Sequence, residues 1–531
     1  MTTTASTADM TSVRPAWFDQ ARHDRLVRWV ARPTGADDSL IEPLAPYDLA
    51  VTAAVPRSTE VDVAEAAQVA RLAQPAWAML PFHTRAQVVL TFHDLLVARQ
   101  DEVIDLIQWE MGKNRFSAWQ EILQVANIAR HYARHGDHYL KPNKVRGAVP
   151  GLTKVREVRV PKGVVGIISP WNYPLYLGVG DVLPALIAGN SVVSKADSQT
   201  PLTLLWTRDL LAEAGLPEDV WKVVAGPGST VGNALIDHVD HICFTGSTAT
   251  GRSVGRRAGE RLISASLELG GKNPLIVRPD ADVAKAADGC VTAAFANTGQ
   301  MCIHIERVIV ADKVYDAFRA ALLERVAALR IGQSFTLAHD VGSLATQAQL
   351  DAVVAHVDDA RAKGATVLAG GRARPDLGPL VYEPTVLEGV DASMDVCLDE
   401  TFGPVISLYR SSSDEDAVAT ANRGSYGLSA SIWSKNTARA EHLATQIRSG
   451  SVNVNDGAAA AAGSIEAGMG GMGDSGVGRR HGAEGIRKYT ESQTIATQRL
   501  MPLGPPAKME LPTFVELTNK QLRLLRRIGV R

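Results

Sequence analysis

Cysteine is scarce in this chain: four in 531 residues, at positions 243, 290, 302 and 397. They lie far apart and none forms a CxxC pair, which excludes the commonest zinc and dithiol spacings and predicts a reducing compartment, the cytoplasm. No metal site is expected. Charge of one sign is lacking as well. Lys and Arg number 55 against 57 Asp and Glu, so no global field favours nucleic acid or an anionic surface. No apolar run reaches the length of a membrane span, and the opening "MTTTASTADMTSVRPAW" lacks the basic start and apolar core of a secretory signal. With hydrophobic residues at 46%, a chain of this length fills two or three cores.

What is present alternates. Helical texture runs from "EVDVAEAAQVARLAQPAWAML" through "SAWQEILQVANIARHYARHG". From Val155 the period changes to strands: "VREVRV" alternates as a half-exposed strand, and "GVVGIIS" is a buried one ending in a Pro and Asn loop. The short apolar runs "NSVVSK", "VWKVVAG" and "HICFTG" follow, separated by helical stretches at βαβ spacing, which predicts a parallel, doubly wound sheet. A second α/β set begins near Pro274 and returns at the end through "GMGGMGDSGVGRRHG". The tail from Leu500 carries the basic amphipathic stretch "NKQLRLLRRIGVR". Its stripe is expected to pack on its own or a neighbouring subunit rather than on a membrane surface.

Three residues invite chemistry, and each has an inert use. Cys302 sits in "NTGQMC", a polar turn that is a poor place to hide a thiol, although a lone cysteine is most often small core filling. Glu268 of "SLELGGKNP" ends an apolar strand, where a carboxylate is costly unless it is paired or used as a base. Asn172 of "SPWNYP" lies in a rigid loop where its amide can donate to an oxyanion or simply make a turn. In "FTGSTATG", Gly246 and Ser247 open a helix whose N-terminus offers donors to a phosphate or merely caps itself.

Taken together, "SPWNYP", "FTGSTATG", "LELGGKNP", "NTGQMC", "ETFGPV" and "GMGDSGVGRR", in this order, resemble the NAD(P)-dependent aldehyde dehydrogenase superfamily over residues 50 to 500. The resemblance implies an α/β fold: a Rossmann-type cofactor domain over 1–139 and 162–271, and an α/β catalytic domain over 272–465. A small β oligomerisation flap follows from 140–161 and 485–500, with a C-terminal extension at 501–531. It also implies a homodimer or homotetramer. Cys302 becomes the nucleophile, Glu268 the base that hydrolyses the thioester, and Asn172 an oxyanion donor. Cofactor contacts carry over to Ile168, Trp171, Lys195, Ser198, Gly226, Gly246, Ser247, Leu269, Glu400 and Phe402. His304 is expected to be a packed or hydrogen-bonded residue, the base already being supplied by Glu268. The reading from another class is a non-catalytic NADP-binding structural protein.

Two departures from the family pattern carry expectations. Where NAD-using members have a glutamate that clasps the ribose hydroxyls, "KADSQTP" places Ser198, so NADP is expected to be preferred and NAD possible. Asp197 beside it is the counterweight. The wording of several motifs is closest to actinobacterial NADP-dependent succinate-semialdehyde dehydrogenases, which implies that substrate. Yet the places where such enzymes carry carboxylate-binding arginines read Gly180 and Ala296. A pocket assembled from Tyr173, Gly180, Ala296, Met301, Ile303, Ser464 and Met469 reads as roomy and mostly apolar, so a medium-chain aliphatic or aromatic aldehyde is the alternative, and succinate semialdehyde stays the first reading on overall similarity.

Overall fold

A computed structural model describes residues 14–32, 39–147, 153–498 and 504–529, so the opening residues and the last two of the basic tail lie outside it. The chain forms two compact units, 1–139 with 161–489, and 140–160 with 490–531.

The first unit holds two sheets. In the six-stranded one the order is Gly476–Val477, Ser264–Glu268, His241–Thr245, Val164–Ile168, Ser191–Ala196, Trp221–Ala225. The last five run parallel. The chain starts in the middle at Val164–Ile168, builds outward to Trp221–Ala225, then returns to the other side. That reversal opens a crevice at the carboxyl ends of the strands, the usual ligand position in such sheets. Helix Glu60–Met79 covers one face. Its start is fixed by a capping box, in which Thr59 and Asp62 each accept the other's backbone N–H. Val63, Ala66, Ala67 and Ala70 of this helix pack with Val164, Val193 and Val224 in one buried cluster, each valine worth about 1.5–3 kcal/mol of removal from water.

The seven-stranded sheet has the order Thr366–Ala369, Thr385–Glu388, Val405–Ser411, Ile305–Ala311, Asn273–Val277, Ser429–Trp433, Ser451–Val454, parallel except at the first pair. Strand Thr385–Glu388 and helix Gln347–Ala362 are additional to the elements read from the sequence. Within the glycine-rich run through which the second α/β set returns, Gly476–Val477 joins the edge of the first sheet, antiparallel to Ser264–Glu268. Only "LGGK" separates the last strand of one sheet from the first of the other.

The second unit is a three-stranded sheet in the order Thr490–Gln498, Thr153–Pro161, Asn143–Arg146, with a helix at Leu511–Arg527. Residues 485–487, read as the start of a flap strand, end helix Gly482–Arg487 instead. No residue of helix Leu511–Arg527 is buried.

Candidate active site

Cys302 lies just before strand Ile305–Ala311, and Glu268 ends strand Ser264–Glu268. The turn before the cysteine is strained. Asn297, Thr298 and Gly299 take successive left-handed conformations at φ 51°, 56° and 72°, which is unfavourable for the β-branched threonine and persists only where surroundings enforce it. They do so here. Asn297 donates its side-chain amide to the carbonyls of Asn172 and Gln300. Asn273 donates to the carbonyls of Cys302 and His304, both at 2.8 Å, and accepts the Ser429 N–H. Close approach is possible because Gly271 is bare: a Cβ there would stand 2.7 Å from the Cys302 carbonyl oxygen.

The loop carrying Asn172 hangs on a buried ion pair. Lys113 Nζ donates at 2.7 Å to both Glu121 Oε1 and the Asn172 carbonyl, while Glu121 Oε2 accepts the N–H groups of Leu175 and Tyr176. Asn172 is 3% exposed, and its amide donates to the Gln300 carbonyl at 3.0 Å, which uses one of its two hydrogens.

Cys302, Glu268, Tyr173, Ala296, Met301, Ile303 and Met469 all face one cavity of about 790 Å³. Its walls also carry Leu123, Tyr176, Leu177, Trp433 and Ala459. Tyr173 donates its hydroxyl to Met301 Sδ at 3.1 Å. Two expected lining residues stand elsewhere. Gly180 ends the short helix Pro174–Val179 and faces a separate, water-sized cavity beside Asp181, Arg480 and His481. Ser464, at the end of helix Ala459–Gly463, points away from the cavity lining and is exposed.

The electrostatics distinguish the reacting groups. Burial pushes the Glu268 carboxyl up to about 7, partly offset by the cations of Arg480 and Lys488. Its Oε1 is buried with no partner. Gly470 leaves room for it, since a Cβ there would lie 2.9 Å away. Burial, with the carboxylates of Glu268 and Glu400, pushes the Cys302 thiol up to about 12, so at rest it carries its proton. The Glu268 carboxyl shares its cavity. The other cysteines are buried.

Arg480 also lines the cavity, and the sequence reading assigned it nothing. Its Nη2 donates to Asp181 at 2.7 Å and to Thr245 at 2.5 Å, leaving its buried Nε unpartnered like Glu268 Oε1. Asp181 further accepts from Lys488 at 2.9 Å and Tyr489 at 2.7 Å.

The expected cofactor residues gather at the carboxyl ends of the parallel strands. Ile168 and Lys195 close two strands, and Ser198 Oγ lies 3.4 Å from the Gly226 carbonyl. Gly246 and Ser247 begin helix Thr248–Glu260, which Ser247 caps by accepting the Thr250 N–H. Leu269 is buried against Gly251. Glu400 accepts the Gly271 N–H at 2.9 Å, and the Phe402 ring meets Trp171 edge-on at 5.6 Å. Asp197 turns its carboxylate to the Gln199 N–H at 2.8 Å, within its own turn. Below this loop His304 is fully buried. Its Nδ1 lies 2.5 Å from the Met301 carbonyl and its Nε2 3.1 Å from Glu306, which also binds Lys272 and the N–H groups of Thr401 and Phe402. The histidine is a packed, positioning residue. Among the described residues, no group of His, Cys, Asp or Glu could hold a metal ion.

The model of the aldehyde dehydrogenase family matches residues 32–495. The chain belongs to the aldehyde dehydrogenase family. It is an oxidoreductase. A Mycolicibacterium smegmatis protein provisionally named an NADP(+)-dependent succinate-semialdehyde dehydrogenase is 48% identical over 474 residues, 89% of this chain and 92% of its own. The vanillin dehydrogenase of Corynebacterium glutamicum is 36% identical over 91% of this chain and 99% of its own. Among solved structures, the succinate-semialdehyde dehydrogenase of Burkholderia pseudomallei superposes with a TM-score of 0.84 at 32% identity, covering 87% of this chain and 95% of that one.

Proposed function

We propose that the enzyme oxidises an aldehyde to a carboxylic acid through a thioester on Cys302, with NADP as hydride acceptor. The observation that carries this is the convergence of Cys302 and Glu268 on one apolar cavity, beside the Asn172 loop. Glu268 takes the thiol proton as Sγ bonds to the aldehyde carbon, and the carbonyl electrons move to oxygen. That oxyanion accepts from the Asn172 amide and the Cys302 N–H. A nicotinamide dinucleotide supplies the acceptor for the hydride that leaves this carbon. Glu268, having released the thiol proton to solvent, then removes a proton from water as the water oxygen attacks the thioester; the C–S bond breaks to release the acid, and that proton returns to the Cys302 sulfur. Glu268 Oε1 and Arg480 Nε, an acceptor and a donor without partners on one cavity, are suited to hold that water between them.

The residues at the strand ends fit a dinucleotide: a helix N-terminus for phosphate, Glu400 for ribose hydroxyls, and the Lys195 and Ser198 pair for a 2′-phosphate. Asp197, engaged with Gln199, does not oppose that phosphate. The name of the mycobacterial relative agrees with NADP.

The substrate best suited to the cavity is a medium-chain aliphatic or aromatic aldehyde. Its volume falls in the range of about 300–1,000 Å³ that takes drug-sized ligands, and its cations are Arg480, committed to Asp181, and the peripheral Lys285, 77% exposed. Succinate semialdehyde is the second reading, favoured by the relatives' names. The site acts in the cytoplasm as a homodimer or homotetramer, a reading supported by the exposed edge strand Asn143–Arg146. The test is kcat/KM for succinate semialdehyde, hexanal and benzaldehyde, each with NAD and NADP, on the native enzyme and Ser198→Glu. Hexanal or benzaldehyde is expected to exceed succinate semialdehyde. Ser198→Glu is expected to lower kcat/KM for NADP by roughly tenfold or more by placing like charge at the phosphate. No change there removes the basis of the cofactor reading.

A further inference from the structure

Helix Leu511–Arg527 is divided lengthwise. Projected at 3.6 residues per turn, its apolar side chains lie in one half of the circumference, from Leu524 at one border through Leu511 and Leu522 to Val515 at the other, interrupted by Gln521 and Thr518. The opposite half carries Glu516, Lys520, Arg523, Arg526 and Arg527. Glu516 is engaged by Lys520 at 2.8 Å, so the three arginines set the charge of that face. Much of the apolar half is exposed: Leu511 is 63% exposed, Leu522 58% and Leu524 58%, and Ile528 just beyond the helix 62%, while Phe514 and Leu525 are half-buried.

We infer that this helix docks on an anionic lipid surface, lying in the plane of the interface. Three observations select this occupant over a second copy of the chain. The apolar arc spans half the helix, wider than the seam one partner helix covers. Its borders are flanked by long cations, Arg526 beside Val515 and Lys520 beside Leu524, placed to bury their stems and keep their charges at headgroup level. The polar face is cationic in a chain whose net charge is −2, so the complementarity to anionic lipid is local and belongs to this helix. The inference stands independently of the substrate reading.

The test is co-sedimentation of the full-length enzyme with phosphatidylcholine vesicles, with and without about one-third phosphatidylglycerol. The expected result is pelleting with the anionic vesicles only, weakened by added salt. Truncation after Ala507 is expected to abolish it. Replacing Arg523, Arg526 and Arg527 together by Gln is expected to lower the partition coefficient on the order of a hundredfold. Leu522→Gln with Leu525→Gln should reduce it while the oligomer mass from light scattering stays constant. Intact enzyme remaining in the supernatant overturns the inference. So does a fall in oligomer mass on truncation, which assigns the helix to contact between copies.

Discussion

Besides Glu121 in its ion pair with Lys113, four carboxyl groups stand around the cleft, and they divide into two pairs. Glu306 faces Lys272 and the His304 ring, and Asp181 faces Arg480 and Lys488. Despite burial, the Lys272, Arg480 and Lys488 cations and the hydrogen bonds beside them hold both carboxyls well below the usual range. Glu268 and Glu400 have no cation in contact, and burial pushes both up to about 7. Desolvation raises all four, and among these four the contacting cation decides the direction. The paired carboxylates hold loops in place, whereas one unpaired carboxylate faces the thiol.

The two pairs act oppositely on stability. For Glu306 and Asp181 the folded value lies below the unfolded one, so they contribute stability that is present above the ordinary carboxyl range and lost as pH falls. For Glu268 and Glu400 it lies above, so the fold loses stability as pH rises from about 4.5 to about 7. The base is thus kept where it is least comfortable when ionised.

This contrast is open to attack from its strongest member down. Glu268→Gln, which keeps shape and removes the base, is expected to slow turnover by about 10²–10⁴ with little change in melting temperature; Cys302→Ala, the control, should leave only background. A melting temperature that falls as far as the rate makes Glu268 a structural residue. Glu306→Leu should do the reverse. Stranding Lys272 and His304 is expected to cost about 3–5 kcal/mol in denaturant unfolding, the figure for breaking a buried pair. An unchanged midpoint would place the Phe402 loop on other supports. The smallest effect is on pH. The hydrolytic step in the native enzyme should rise with pH through about 7, as Glu268 ionises. Arg480→Gln removes a cation that lowers that value, so the limb should move upward by about a unit or less. A limb that moves down, or stays, excludes Arg480 as the group that tunes the base.

What the sequence made legible was the set of residues whose neighbours in the chain betray them. Cys302 stood in a turn too polar for core filling, Glu268 interrupted an apolar strand, and the alternation of strands and helices gave the parallel sheet around Val164–Ile168. The supports of the site were not legible, because their partners are remote. Lys113 meets the Asn172 loop, and Arg480 meets Asp181, across contacts that no local pattern encodes. Gly180 was misplaced for a related reason. Its offset from Asn172 suggested the pocket wall, but the short helix Pro174–Val179 turns it into the neighbouring cavity. Gly476–Val477 is too short to show a strand period at all.

The "LGGK" link between the two sheets has a kinetic consequence. Neither sheet contains a whole site: Asn172 and Glu268 belong to one, Cys302 to the turn before the central strand of the other, and Arg480 arrives from near the end of the chain. Contacts so distant in sequence form late in folding, after each sheet has paired its own strands. During refolding, helical signal should therefore recover ahead of activity, and the thiol of Cys302 should stay open to alkylating reagents through that interval. The delay separates assembly of the scaffold from assembly of the chemistry, and makes the newly closed site the final product of folding.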